Sequence, residues 1–222
     1  MNWVGSNLDL IWQLTLDHVR LSAIPIVLGF ILAVPIGWVA WRYGVVRPVL
    51  LTAVGLIYTI PSLALFVLLP PILGISFLSE LNVIIALTLY AVALMVRSVT
   101  DGLGSVEPDV RQSATAVGFA GWGRFWTVEF PLAGPVLLAG LRVVSVSTVS
   151  LVTVGVLVGA DSLGYLFTNG LQRGIAVEIL AGIVMTVVVA MFFDVVLVLL
   201  GRLLMPWNRQ PSKAARRVMV GT

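Results

Sequence analysis

Long apolar runs separated by short polar clusters dominate this chain. Five of them, roughly 21–41, 48–70, 80–97, 134–159 and 176–204, are long enough for helices that cross a membrane, since a ~30 Å hydrocarbon core takes about 20 largely apolar residues per helix. The runs are continuous, without the ~10-residue alternating segments of a transmembrane barrel. The pattern therefore predicts an all-α integral membrane protein with about five transmembrane helices. Pro25, Pro35, Pro61 and Pro135 fall inside these runs. Neighbouring helices can satisfy the carbonyls that proline frees, so kinks are expected there. One polar interruption, 101–131, is far longer than the ~4–6 residues of most connections.

Composition supports the membrane reading and removes several function classes. Hydrophobic residues make up 59% of the chain and charged residues 10%, against about one quarter charged in a soluble domain. The net charge of +3 is too small, on so apolar a background, for a nucleic-acid surface. With no cysteine and His18 as the single histidine, no thiolate nucleophile, disulfide or multi-histidine metal site is expected. The first residues lack the basic stretch and short apolar core of a secretory signal, so the first apolar run reads as a retained span. Leu10, Ile11, Leu14 and Leu16 alternate with polar residues over 1–20, which predicts an interfacial helix leading into span one, with His18 as a polar residue of that interface.

Arginine and lysine placement sets the expected orientation, because cytoplasmic loops are enriched in both. With the N-terminus outside, eleven of the thirteen basic residues fall inside: Arg42, Arg47, Arg97, Arg111, Arg124, Arg142, Arg202, Arg209, Lys213, Arg216 and Arg217. Only Arg20 and Arg173 lie outside. Trp3 and Trp12 then fall near the outer face, and Trp38, Trp41 and Trp207 near the inner one, as an aromatic belt requires. The long polar interruption faces the cytoplasm, as does the basic tail 206–222, which is suited to attract anionic inner-leaflet lipids.

Within that interruption, "RQSATAVGFAGWGRFWTVEFP" (111–131) reads as two short helices meeting at a glycine. Residues 112–117 include good helix formers, and Gly118 supplies the left-handed conformation that ends a helix. Phe119, Trp122, Phe125 and Trp126 are large aromatics for a cytoplasmic loop. They suit either docking of a cytoplasmic partner or packing of the loop on itself.

These residues carry a resemblance. The signature of binding-protein-dependent permeases of the ATP-binding cassette type reads Glu-Ala-Ala, three residues, Gly, nine residues, Ile, one residue, Leu-Pro. Here Gln112, Ser113 and Ala114 are followed by Gly118 and then by Val128, Phe130 and Pro131 with every gap preserved. The resemblance extends over roughly 15–205, and "TIPSLALFVLLP", "ALTLYAVALMVRSVTDGLGSVEPDVRQSA" and "PLAGPVLLAGLR" are similar to permeases for glycine betaine, carnitine, choline or proline. Where such permeases more often read Gly-Ala-Gly-Gly-Leu-Gly, this chain has Asp161 and Ser162 in place of two glycines. The resemblance implies a single permease domain over 1–222 with the type I ABC importer permease fold. It also implies a coupling helix, within 100–131, that inserts into an ATPase subunit. Gln112, Ser113, Ala114, Gly118, Phe119, Trp122, Trp126 and Pro131 would form that coupling segment. Gln112 in place of Glu removes a charge-assisted contact or a helix cap, and this degenerate position favours a heterodimer with a second permease over a homodimer.

No Gly-x-x-x-x-Gly-Lys-Ser/Thr occurs, and Lys213 in the tail is the only lysine, so the chain is expected to bind no cofactor of its own. ATP and Mg²⁺ would sit on two cytoplasmic ATPase subunits, and an external solute-binding protein would dock around 71–79 and 160–175. Inside the membrane, Arg142 and Asp194 lie at depths where they can meet as an ion pair, the alternative being separate snorkelling and a water-filled cavity. Ser145, Ser147, Thr148, Ser150 and Thr153 spread around span four. They either allow close helix packing or, at Ser145 and Thr148, line a path. Tyr58 and Ser62 share a helix face beside Pro61, where a kink, a ring and a hydroxyl can shape a translocation path or simply pack. The expected function is the permease of an ATP-driven importer of compatible solutes in the bacterial inner membrane, working by alternating access. A permease for an amino acid such as methionine, or a passive channel, is the alternative. A membrane enzyme is disfavoured by the lack of cysteine and of intramembrane acid pairs.

Overall fold

A computed structural model describes residues 2–208; Arg209, Lys213, Arg216 and Arg217 of the basic tail lie outside the described residues. A short helix α1 (Asn2–Ser6) precedes α2 (Leu8–Arg42), whose 35 residues rise ~52 Å, more than a hydrocarbon core needs. The stretch expected as an interfacial helix leading into span one is helical from Leu8 onward and continuous with that span. Several of its polar residues find partners within the fold. The Thr15 hydroxyl donates to the Ile11 carbonyl at 2.7 Å, buried His18 places Nε2 3.0 Å from the Val149 carbonyl, and Arg20 reaches both carboxylate oxygens of Glu80 at 2.7 and 2.8 Å. Pro25 and Pro35 lie within the helix without ending it.

The second apolar run is broken outright. α3 (Val46–Thr59) and α4 (Ser62–Leu73) meet at 104° across Ile60 and Pro61. Proline biases the residue before it away from helix, and Ile60 adopts an extended conformation, φ −65° and ψ 126°. The Tyr90 hydroxyl donates to the Ile60 carbonyl that the break leaves free. Asn82 does similar service further on, donating to the Phe66 carbonyl at 2.8 Å and the Phe77 carbonyl at 3.3 Å. A kink was the expectation at Pro61; donors from a neighbouring helix permit a sharper turn.

The third run is α5 (Glu80–Gly104), capped by the Ser79 hydroxyl, which accepts from the Leu81 amide at 3.2 Å. α5 is the hub, packing against α2, α3, α4 and α8. Small residues bring the helices together: a Cβ built on Gly29 would overlap the Ala91 Cβ, and one on Gly37 would lie 2.6 Å from Val99. The Thr100 hydroxyl sits near the Gly37 carbonyl, 3.3 Å away, across the same crossing.

Beyond α6 (Pro108–Ala116), α7 (Gly121–Arg124) passes through one π turn, Phe125–Glu129, into α8 (Phe130–Val152), which tightens to a 3-10 turn over Thr153–Val158. α9 (Gly164–Arg173) and α10 (Ala176–Leu204) complete the fold. Among the described residues, four helical stretches are long and apolar enough to cross a membrane, or five if the bent α3–α4 pair is one span. The described residues contain no strand. The all-α architecture and span number thus match the expectation from the apolar pattern.

Candidate functional site

The polar interruption is built from both of its ends. Glu107 is extended, Pro108 opens α6 with a preset φ, and Asp109 lies in the first turn where the helix dipole favours an acid. α6 ends in a Schellman motif: the Gly118 amide donates to the Thr115 carbonyl and the Phe119 amide to the Ala114 carbonyl, both at 3.0 Å. Gly118 takes φ +96° to close it, and Gly121 takes φ +52° to open α7. The resulting tip is exposed at Gln112, Ser113, Thr115, Val117, Gly118 and Phe119, whereas Ala114 is buried. Pro131 is half-buried in the first turn of α8.

Two arginines hold this tip to the membrane helices. Arg111 donates through Nη2 to the Val106 carbonyl, reaches the Leu103 carbonyl at 3.5 Å, and stacks its guanidinium 5.1 Å over the Trp41 ring of α2. Arg124 donates from Nε to Glu129 Oε1 and from Nη1 to Thr115 Oγ1, each at 2.8 Å. The Thr115 hydroxyl in turn donates to the Arg111 carbonyl at 2.8 Å. Sequence reasoning assigned no role to Thr115 or Glu129, and used Arg124 only for orientation. Arg124 and Glu129 are five apart, a spacing no α-helix brings together, and only the π turn between them aligns the pair.

The aromatics differ in burial. Phe125 is buried, stacked on Trp122 at 5.5 Å and edge-on to Trp38 of α2 at 6.2 Å. Trp126 packs on Phe125 and Phe130 at 5.0 and 5.2 Å. Trp122 and Trp126 remain exposed on one side, but that side lines an apolar groove of 590 Å³ with Phe30, Ile31 and Pro35 on the flank of span one. Self-packing therefore accounts for Phe125, whereas Trp122 and Trp126 remain 62% and 47% exposed and Phe119 stands on the α6 tip.

The residues considered for a translocation path separate into two groups. Tyr58, Pro61 and Ser62 come together at the α3–α4 break, where Tyr58 is exposed and meets Tyr90 edge-on at 5.7 Å. Ser145 and Thr148 are buried between helices, with the Ser145 hydroxyl donating to the Arg142 carbonyl at 2.9 Å, so within this chain they pack and face no open space. Arg142 and Asp194 meet in a bidentate pair across α8 and α10, Nε to Oδ1 at 2.6 Å and Nη2 to Oδ2 at 2.9 Å. That fork geometry gives direction as well as attraction.

At the opposite end of the bundle from α6, Ser162 is buried, its hydroxyl 3.3 Å from the Val152 carbonyl and accepting from the Gly164 amide at 3.2 Å. Fully buried Glu178 accepts from Asn169 at 2.5 Å and ties α9 to α10. No group of three or more His, Asp or Glu residues among those described has metal-site geometry.

Comparison with known proteins gives these features a setting. Residues 21–210 match the model of the family "Binding-protein-dependent transport system inner membrane component". The chain is 30% identical over 196 residues to the osmoprotectant import permease protein OsmW of Salmonella typhimurium, covering 87% of this chain and 91% of that protein. It is 30% identical over 197 residues to the glycine betaine/carnitine/choline transport system permease protein OpuCB of Bacillus subtilis, covering 89% of each. A solved structure of the MetNI methionine ABC transporter, in an inward-facing conformation, superposes with a TM-score of 0.81 over 90% of this chain and 98% of its own, at 18% identity, a likeness of fold. With the family matched over most of its length and the fold shared with an ABC importer permease, this chain belongs to the binding-protein-dependent transport system inner membrane components.

Proposed function

We propose that the chain is the membrane-spanning permease of an ATP-driven importer of compatible solutes, of the class of glycine betaine, choline, carnitine and proline. The observation that carries this reading is the α6 tip: a capped, exposed helix at the spacing of the family signature, fixed to three spans by Arg111 and Arg124. Such a handle serves a protein driven from outside itself, and a passive channel has no use for it. The substrate class follows the names of the relatives at 30% identity over most of the chain, and the MetNI likeness at 18% identity argues for fold without substrate.

In this reading two cytoplasmic ATPase subunits carry ATP and Mg²⁺ and receive the tip at Gln112, Ser113, Gly118 and Phe119. The N-terminus is outside and the C-terminus cytoplasmic. A loaded binding protein docks at the other end, around 71–79 and 160–175. A second permease completes the pathway, with the exposed face of Tyr58 and Pro61 turned to it, and a heterodimer is favoured by Gln112. ATP-driven closure of the ATPases pulls on α6 and opens the pathway outward.

Vesicles holding the permease pair, ATPase and binding protein test this. ATP-dependent uptake of radiolabelled glycine betaine, competed by choline, carnitine or proline and not by methionine, is expected. Uptake competed by methionine alone would move the substrate to amino acids, and uptake without ATP would restore the channel.

A further inference from the structure

Because α6 touches the rest of the fold sparingly, what the tip feels can reach span four only through defined bonds. Gly118 and Gly121, both at positive φ with open space around them, leave the turn between α6 and α7 without side-chain packing of its own. Across that turn runs one continuous chain of polar contacts: Arg111 carbonyl to Thr115 hydroxyl, Thr115 Oγ1 to Arg124 Nη1, Arg124 Nε to Glu129 Oε1, each at 2.8 Å. Its last member is 1% exposed, next to buried Phe125, in the π turn that leads without a break into α8. A carboxylate at such a place costs solvation unless a cation holds it. Nothing in the packing of Phe125, Phe130 or Ala133 asks for an acid there.

We propose that Thr115, Arg124 and Glu129 form a rigid link that transmits displacement of α6 to span four, with Arg124 as its central positioning residue. The π turn is the device that makes the link: one extra residue in the turn brings Glu129 under Arg124, where an α-helical turn would rotate it away. A guanidinium suits the place because its planar fork bonds two acceptors in fixed directions, to α6 through one nitrogen and to the π turn through another. Arg111 holds the start of α6 to α5 and α2, so the two arginines distribute one movement over separate spans. This inference rests on the coupling role given to α6 above.

The chain has no cysteine, so spin labels can be placed at Val110→Cys on α6, away from the tip, and Val136→Cys on α8, both exposed sites. In the assembled transporter, Arg124→Gln should turn a narrow label-to-label distance distribution into a broad one. It should also lower glycine betaine imported per ATP hydrolysed about ten-fold, within the range by which coupling networks are modulated. Arg124→Lys, which keeps a cation for Glu129 but cannot bond Thr115 and Glu129 together, should keep the fold and still lower the import ratio, which the mere loss of the buried charge would not do. Wild-type distances and an unchanged import ratio in Arg124→Gln would overturn the link. So would broadened distances with an unchanged ratio, since the attachment would then transmit nothing. Wild-type uptake that ignores ATP would instead overturn the importer reading, an outcome read from the wild type alone.

Discussion

The α2–α5 crossing and the α6 tip both depend on glycine, for opposite reasons. At the crossing, Gly29 and Gly37 stand where an added Cβ would run into Ala91 or Val99, and their backbones are ordinary helix. At the tip, Gly118 and Gly121 have nothing within 4 Å of an added Cβ, but hold φ of +96° and +52°. The first pair is there for space and the second for conformation. Space-saving glycines make a crossing that moves as one body. Conformational ones make a turn whose position is set by whatever bonds span it. The molecule therefore joins a stiff hub to an exposed handle through a few directed contacts, the arrangement expected of a part that receives motion from another protein.

Crowding the crossing should give the largest effect. Gly29→Val should lower stability in detergent by about 1–3 kcal/mol, as overpacking does, and Ala91→Gly in the same chain should recover much of it, both read as unfolding midpoints. Separating the Arg142–Asp194 pair comes next. Arg142→Gln leaves a carboxylate without its partner where α10, only 11% buried over its most apolar stretch, leans on α8. A several-fold fall in folded permease is expected, with recovery in the Arg142→Asp, Asp194→Arg double variant, because charges at membrane depth are tolerated chiefly as pairs. The smallest effect on folding belongs to the tip: Val117→Ser should stay within ~0.5 kcal/mol of wild type, as exposed substitutions do. If α6 is the handle proposed above, it should nonetheless weaken co-purification of the ATPase, because Val117 is 78% exposed on that tip. If Val117→Ser unfolded the chain and Gly29→Val did not, the contrast between hub and handle would be wrong.

Much of the fold was legible in the sequence, because apolar length acts locally. The five spans were foreseen from hydropathy, and the helix end at Gly118 from the conformation glycine allows. Three features needed long-range information. His18 and Arg20 find partners 131 and 60 residues away. Pro61 breaks its helix instead of kinking it because Tyr90, 30 residues on, supplies the donor for Ile60. The Arg124–Glu129 pair is hidden by a π turn, which has no sequence signature at this length. The aromatics between 119 and 126 could not be sorted from the sequence, since surface and core use the same rings: Phe125 is buried, while Phe119, Trp122 and Trp126 stay exposed.

The most direct test of the central claim compares uptake of radiolabelled glycine betaine by wild type and Gly118→Asp. Both are assembled with ATPase, binding protein and second permease in vesicles. A side chain at φ +96° disturbs the Schellman turn without touching any neighbour. ATP-dependent uptake in the wild type, abolished in the variant while the complex stays assembled and the permease stays folded, is the predicted result. Equal ATP-driven uptake by both would contradict the assignment of α6 as the handle.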